Sequence, residues 1–327
     1  MNQNATTKIE VLVLTYNRAH LIASTLESLL AQRLSPSRIC VLDNGSTDNT
    51  VEIVRSFQMR GIELLMRKTN DPRACWTDLQ SIAQGPWTML FHDDDLLHPE
   101  YLQHAGSAIA KHRDITVVVS GMRVYANPER VEWSKVCEEN HQKLTARQLA
   151  TSLYAGFPMP FCSTIYRTDV LKQTKIQFTK FGKIFDRPFV LDVAQGGALL
   201  FLDPYVKYRT HALQDSTDQT SGPSIPQVFA LQNFYRQLIG ENIFTKRGRI
   251  FLRRNYRNLI SDHKRLMRGA MVPIDSNEFL HKAIEAGAAS GWSLNVGMCY
   301  AIFTQVPRMI GRVIKDWVRS FVSNSRP

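Results

Sequence analysis

Over the first 125 residues, short apolar blocks alternate with stretches whose apolar positions recur at helical spacing. Ile9–Leu14 (IEVLVL) predicts a strand that stops at Thr15-Tyr16-Asn17-Arg18. Leu21, Ile22, Leu26, Leu29 and Leu30 then share one helical face. Arg38–Leu42 predicts a second strand, closed by Asp43-Asn44-Gly45-Ser46-Thr47-Asp48. Ser46 or Asp48 can cap the helix that follows, whose face is Val51, Val54 and Phe57. Further strands are predicted at Ile62–Met66, Trp87–Phe91 and Ile115–Ser120, with helices over 74–83 and from Pro99 to about Lys111. Apolar strands alternating with amphipathic helices predict an α/β fold: a doubly wound, mostly parallel sheet covered on both faces. In such sheets ligands bind beyond the carboxyl ends of the strands. The polar segments after the first, second and fourth strands all fall at that edge.

The segment after the fourth strand, His92-Asp93-Asp94-Asp95, changes the picture most. Three consecutive carboxylates repel one another, and a hard divalent cation is their natural partner. A solvated acidic turn with Asp95 as a helix cap is the alternative from these residues alone. The apolar strand leading into the turn favours a site.

Composition narrows the class. Hydrophobic residues make up 44% and charged residues 21% of the 327 positions, as in a packed globular protein rather than a disordered one. The polar start, Met1–Glu10, lacks the apolar core of a signal peptide, and no apolar run approaches the roughly 18–20 residues of a membrane span. A cytoplasmic protein is expected. The five cysteines are scattered and form no C-x-x-C, so buried reduced thiols are expected rather than disulfides or a zinc site. The net charge of +11 is uneven: residues 1–235 hold 24 Lys and Arg against 23 Asp and Glu, and residues 236–327 hold 16 against 6. The basic back part points to a polyanionic partner.

The ordered set strand-TYNR, strand-LDNGSTDNT, strand-HDDDLLHP resembles the family 2 glycosyltransferases over about the first 125 residues, and two weaker motifs extend the likeness to about residue 220. The resemblance implies the GT-A fold and an inverting, metal-dependent transfer of a sugar from a nucleotide donor, UDP-linked by expectation. It places Thr15, Tyr16 and Asn17 in the nucleoside pocket. Asp43 would accept from the uracil ring, Asp93 would contact the ribose, and Asp94 would bind Mn2+ or Mg2+. Asp95 would be a direct or supporting ligand of the same ion. His92 stands where many members have an aspartate. Asn70–Asp78 (NDPRACWTD) corresponds to N-x-G-x-x-x-A-x-N but keeps only its first asparagine; Arg73 within it is either a contact to base or diphosphate or a surface arginine. Asp186 falls on the second position of the family's acidic pair, with Phe185 at the first, and would be the general base. Tyr208-Arg209-Thr210-His211, with Gln214 and Ser216, resembles Y-R-x-H-x-x-Q-x-S and makes His211 a metal or phosphate contact. Processive members carry an Arg-Trp element and membrane helices; neither is present in this sequence, so a non-processive enzyme is expected.

Ser221-Gly222-Pro223 marks a boundary between a catalytic domain, 1–222, and a basic helical region, 223–327. Residues 227–268 look helical and carry Arg253, Arg254 and Arg257. Val306–Val322 forms a cationic amphipathic pattern around Trp317, suited either to an anionic membrane surface or to packing in a homo-oligomer. The expected partners are therefore a UDP-sugar, a glycan or lipid-linked acceptor, and the inner face of the cell membrane. A sugar nucleotidyltransferase would need a glycine-rich first loop, which TYNR is not. A polyanion-binding protein would leave the acidic motifs without a role, so nucleic acid is not an expected partner.

Overall fold

The computed structural model describes residues 7–211, 223–267 and 274–295. Its contacts divide the chain into two compact units, Met1–Pro223 and Ser224–Pro327.

The first unit is built on a nine-stranded sheet, with β1 at Ile9–Thr15, β2 at Arg38–Asp43, β3 at Ile62–Met66 and β4 at Trp87–His92. These four run parallel in the order β3-β2-β1-β4. Every residue of β1 except Leu14 is buried, as expected of a central strand covered on both faces. The register decides where the motifs meet: Thr15 pairs with Asp43 and Leu14 with His92, so three strands end level. Helices α1 (Ile22–Leu30), α2 (Thr50–Ser56), α3 (Pro72–Ile82) and α4 (Tyr101–Lys111) alternate with these strands, as the periodicity predicts. The sheet continues into a mixed half of which the apolar pattern predicted one strand. There β5 (Leu96–Leu97), β6 (Val117–Tyr125), β7 (His141–Leu144), β8 (Ile165–Arg167) and β9 (Ala198–Arg209) complete it.

Two differences from expectation matter. The strand expected to end at Ser120 runs on to Tyr125, through an irregularity at Gly121 where its register against β9 shifts. Strand β5, only two residues long, follows the acidic turn directly and pairs antiparallel with β9. That pairing draws the end of β9, and with it His211, to the acidic turn.

At the opposite edge of the sheet a buried carboxylate is fully served. Glu10 Oε1 accepts from the Gln84 and Gly85 backbone N–H groups and the Thr88 hydroxyl. Its Oε2 lies 3.1 Å from Arg38 Nη1.

The cysteine expectation is corrected at one position: Cys40, Cys75 and Cys162 are buried and free, but Cys137 is free and exposed. Cys299 lies outside the described residues.

Short helices α5 (Ala146–Tyr154), α6 (Thr168–Gln173), α7 (Phe178–Phe181) and α8 (Asp186–Val193) also belong to the first unit. The second unit contains α9 (Ile225–Ile239), α10 (Lys246–Leu266) and α11 (Ser276–Glu285), packed around Val228, Phe229, Leu259 and Phe279. The amphipathic pattern over 306–322, together with Gln214 and Ser216, falls outside the described residues. Among the described residues no helix is long and apolar enough to cross a membrane.

Candidate active site

The loops after β1 and β2 are tied together residue by residue. Asn17 N–H donates to Ser46 Oγ at 2.9 Å, and Thr47 N–H donates to Asn17 Oδ1 at 2.8 Å. Arg18 N–H donates to Thr50 Oγ1, and Ala19 N–H to Asp48 Oδ2. Asn17 sits at φ 52°, a left-handed conformation that asparagine tolerates better than most residues. Its side chain thus holds the neighbouring loop. Gly45 has φ +81°, and a Cβ there would meet the Thr69 carbonyl carbon at 2.9 Å, so only glycine fits.

Asp43 combines two of the roles open to it. Its Oδ2 accepts from Gly45 N–H and Ser46 N–H, an Asx-type turn. Its Oδ1 is buried and has no hydrogen-bond partner among the described residues. Asn44 Nδ2 donates to Asn70 Oδ1, which joins the 43–48 loop to the start of α3. At that start Asp71 caps the helix by accepting from Arg73 N–H and Ala74 N–H. The side chain of Arg73 is exposed there.

The three aspartates after β4 are all buried but differently placed. Asp93 Oδ2 accepts from Tyr16 N–H at 3.1 Å, and its Oδ1 lies 3.6 Å from Arg18 Nε. Asp94 Oδ2 lies 3.0 Å from His211 Nε2. His211 Nδ1 is buried and has no partner among the described residues. Asp95 is wholly buried: Oδ1 accepts from Arg209 N–H and Oδ2 from the Cys162 thiol, each at 2.9 Å. Burial, then the charge of Asp94, pushes the Asp93 carboxyl up to about 7 and that of Asp95 up to about 8. Both carboxyls are therefore held toward their protonated form when no cation is bound. Asp94 and His211 present a carboxylate oxygen and an imidazole nitrogen at one place, a donor pair that fits a divalent cation. Ligand atoms of His92, Asp95 and Cys162 also lie within 4.8 Å of one another. Burial drives that thiol well above its ordinary value, so it stays protonated as the donor to Asp95.

Arg18 and the imidazoles of His20 and His211 stand around the turn. His20 packs edge-on against His211, with ring centroids 6.1 Å apart. Burial, then His211 and Arg18, lowers the His20 imidazole below its ordinary value. The candidate residues named from the sequence did not include Arg18 or His20. Arg18 is the last residue of the TYNR signal and could have been found there; His20 carries no local signal.

Asp186 opens α8, where burial raises its carboxyl above the ordinary range against the lowering effect of Arg187 and His92. The effect of His92 links this carboxylate to the end of β4. Asp192, further along the same helix, is half-buried and accepts from Gln177 Nε2.

An α/β sheet whose carboxyl edge gathers acidic loops in this order has the architecture of a GT-A glycosyltransferase. The profile of glycosyl transferase family 2 matches residues 10–174, half of the chain, and the chain belongs to that family. Among curated proteins, EpsE of Bacillus subtilis, which carries a putative-glycosyltransferase name, is 30% identical over 126 residues, covering 37% of this chain and 45% of EpsE. A Mycoplasma pneumoniae protein named as an uncharacterized glycosyltransferase, the MG025 homolog, is 28% identical over 135 residues, 38% of this chain and 42% of its own. The matched part spans less than half of either relative. Among solved structures, S. aureus TarS 1-349 in complex with UDP-GlcNAc superposes with a TM-score of 0.60 at 18% identity, over 90% of this chain and 92% of that one. The Pyrobaculum calidifontis mannosyltransferase PcManGT, in complex with GDP-Man and Mn2+, has a TM-score of 0.51 at 14% identity, over 98% and 88%. At these identities the likeness shows the fold.

Proposed function

We propose that this glycosyltransferase transfers a sugar, with inversion, from a UDP-sugar to a hydroxyl of a glycan or lipid-linked acceptor. The observation that carries the reading is the crowding of Asp93, Asp94 and Asp95 at the end of β4, with His211 against Asp94. The structural neighbours crystallised with UDP-GlcNAc, or with GDP-Man and Mn2+, support a nucleotide-sugar and a divalent cation as the groups bound there.

In this reading the unpaired Asp43 Oδ1 accepts from the ring N–H of the base, and the loops holding Thr15, Tyr16 and Asn17 enclose the nucleoside. Asp93 faces the ribose. Asp94 and His211 hold Mn2+ or Mg2+, which when bound offsets the charge of the leaving diphosphate. Asp95, with both oxygens already engaged, holds Arg209 and the acidic turn in place rather than serving as a direct ligand. Arg18 stands beside Asp93, where it can meet the diphosphate. Arg73, exposed at the mouth of the same edge, meets the base or diphosphate from outside. Asp186 takes the proton of the acceptor hydroxyl as its oxygen bonds to the anomeric carbon. The bond from that carbon to the diphosphate oxygen breaks, and the nucleotide leaves with the electron pair. The raised carboxyl of Asp186 suits a base that returns the proton afterwards.

Titration calorimetry of UDP with and without Mn2+ tests the donor side. The protein should bind UDP in a Mn2+-dependent way, and Asp94→Asn should remove most of that dependence. Wild-type affinity with an unchanged metal effect in Asp94→Asn defeats the assignment.

The catalytic domain is read as residues 1–222, and the basic region 223–327 as its contact with an anionic membrane surface. Lys246, Arg249, Arg253 and Arg257 are exposed along α10 in support of this. Co-sedimentation with anionic and neutral vesicles tests it. Protein that stays in solution with both at low salt favours the homo-oligomer instead.

A further inference from the structure

Three positions at which the sequence leaves the family pattern meet in space. Trp76 stands where N-x-G-x-x-x-A-x-N has its alanine, His92 where many members have an aspartate, and Phe185 at the first position of the acidic pair. Trp76 has its ring centroid 6.4 Å from His92 and 5.7 Å from Phe185, both edge-on. Phe161 closes the group at 5.2 Å from Trp76, 6.2 Å from His92 and 6.0 Å from Phe185. Phe161 and Phe185 are buried, while Trp76 and His92 keep part of their surface in solvent. The four side chains come from α3, the end of β4, the segment before β8 and the segment before α8. Together they form one aromatic wall.

The two ends of the wall are chemical landmarks. His92 immediately precedes Asp93 and Asp94, and Phe185 immediately precedes Asp186. On the proposed function, a sugar displaced in line from a diphosphate at Asp94 toward a hydroxyl at Asp186 would have its ring between those landmarks, beside the wall. An aromatic surface binds the C–H face of a pyranose through dispersion and removal of apolar surface from water. It offers no carboxylate to accept from sugar hydroxyls, as an acidic residue at 92 or 185 would.

We propose that Trp76, backed by His92, Phe161 and Phe185, binds the transferred sugar by packing against the C–H face of the pyranose ring of the nucleotide-sugar. This rests on the reading that Asp94 and Asp186 flank the anomeric carbon. The wall acts on the sugar and leaves the nucleotide alone, which makes it separable from the donor-binding residues.

The test is calorimetry with Mn2+ present, comparing UDP with whichever of UDP-GlcNAc and UDP-glucose the wild type binds more tightly. Trp76→Ala should weaken the nucleotide-sugar about five- to tenfold and UDP by less than about twofold. Trp76→Phe, which keeps a ring, should retain most of the affinity. Should the alanine variant fail to fold, Trp76→Leu keeps apolar bulk without a ring face and should show the same selective loss. Equal weakening of UDP and nucleotide-sugar, or no change in either, overturns the proposal. A wild-type protein that binds no UDP with Mn2+ overturns the reading beneath it as well. Normal UDP binding with an unaltered nucleotide-sugar affinity removes the wall alone.

Discussion

The two edges of the central sheet handle buried carboxylates in opposite ways. At the amino edge Glu10 receives three hydrogen bonds and an arginine, so its charge is met within the chain. At the carboxyl edge Asp93, Asp94 and Asp95 crowd together, and Asp43 Oδ1 and His211 Nδ1 have no partner among the described residues. Burial is costly at both edges, and the carboxyl edge leaves two polar atoms without an internal partner among the described residues. A buried carboxylate that is satisfied by its own chain holds the fold. The unpartnered Asp43 Oδ1 and His211 Nδ1 are the atoms on which the proposed donor and cation sites rest.

The contrast can be broken most decisively at Asp186 and Glu10. Asp186→Asn should reduce transfer by about a hundred- to ten-thousand-fold, the span typical of a general base, while UDP affinity stays near wild type. A variant that keeps most of its turnover moves the base elsewhere, to Asp192 first, although that side chain already accepts from Gln177. Glu10→Gln should cost about 1–3 kcal/mol in urea unfolding, because the amide oxygen can still accept from the two backbone N–H groups while Arg38 loses a buried charged acceptor and keeps only Glu63 as a charged partner. UDP affinity of the folded fraction should not change. A loss below about 1 kcal/mol would mean that the Glu10 cluster contributes no more than an exposed ion pair does.

Gly45→Ala sharpens the comparison from the backbone side. The left-handed φ and the contact with Thr69 should together cost about 1–3 kcal/mol. The same change should weaken UDP, because the loop carrying Asp43 moves. Unaltered stability in Gly45→Ala would mean that the loop adapts.

A pH trend tests the acidic turn itself. Asp93 and Asp95 have folded values raised above that of the unfolded chain, so in the metal-free protein the folded state holds protons that the unfolded state has released. Their contribution to stability is full below about pH 4 and is lost as pH rises through about 7 to 8. Melting temperature measured across that window without metal should carry this downward trend, and Mn2+ should raise it more at pH 8 than at pH 5. A Mn2+ increment that is equal at the two pH values removes the acidic turn as the cation site.

Much of the carboxyl edge was legible before any coordinates. The blocks IEVLVL, RICVL and WTMLF are strands because buried parallel strands are apolar on both faces, and their polar terminators had to share one edge. The role of Asn17 was not legible: its carboxamide braces Thr47 across a loop contact that depends on the level ends of β1 and β2. Asp95 shows the same limit. Its partners Cys162 and Arg209 lie far along the chain, so its hydrogen bonds could not be read from its neighbours.

By itself the sequence determined the parallel half of the sheet, the family, and the order of the acidic motifs, because these depend on local periodicity and short spacings. Only the tertiary structure decided that β5 pairs with β9 to bring His211 to Asp94, and that Trp76, His92 and Phe185 share one surface. Those contacts join residues with no local periodicity in common. Chain topology and packing, rather than propensity, bring them together.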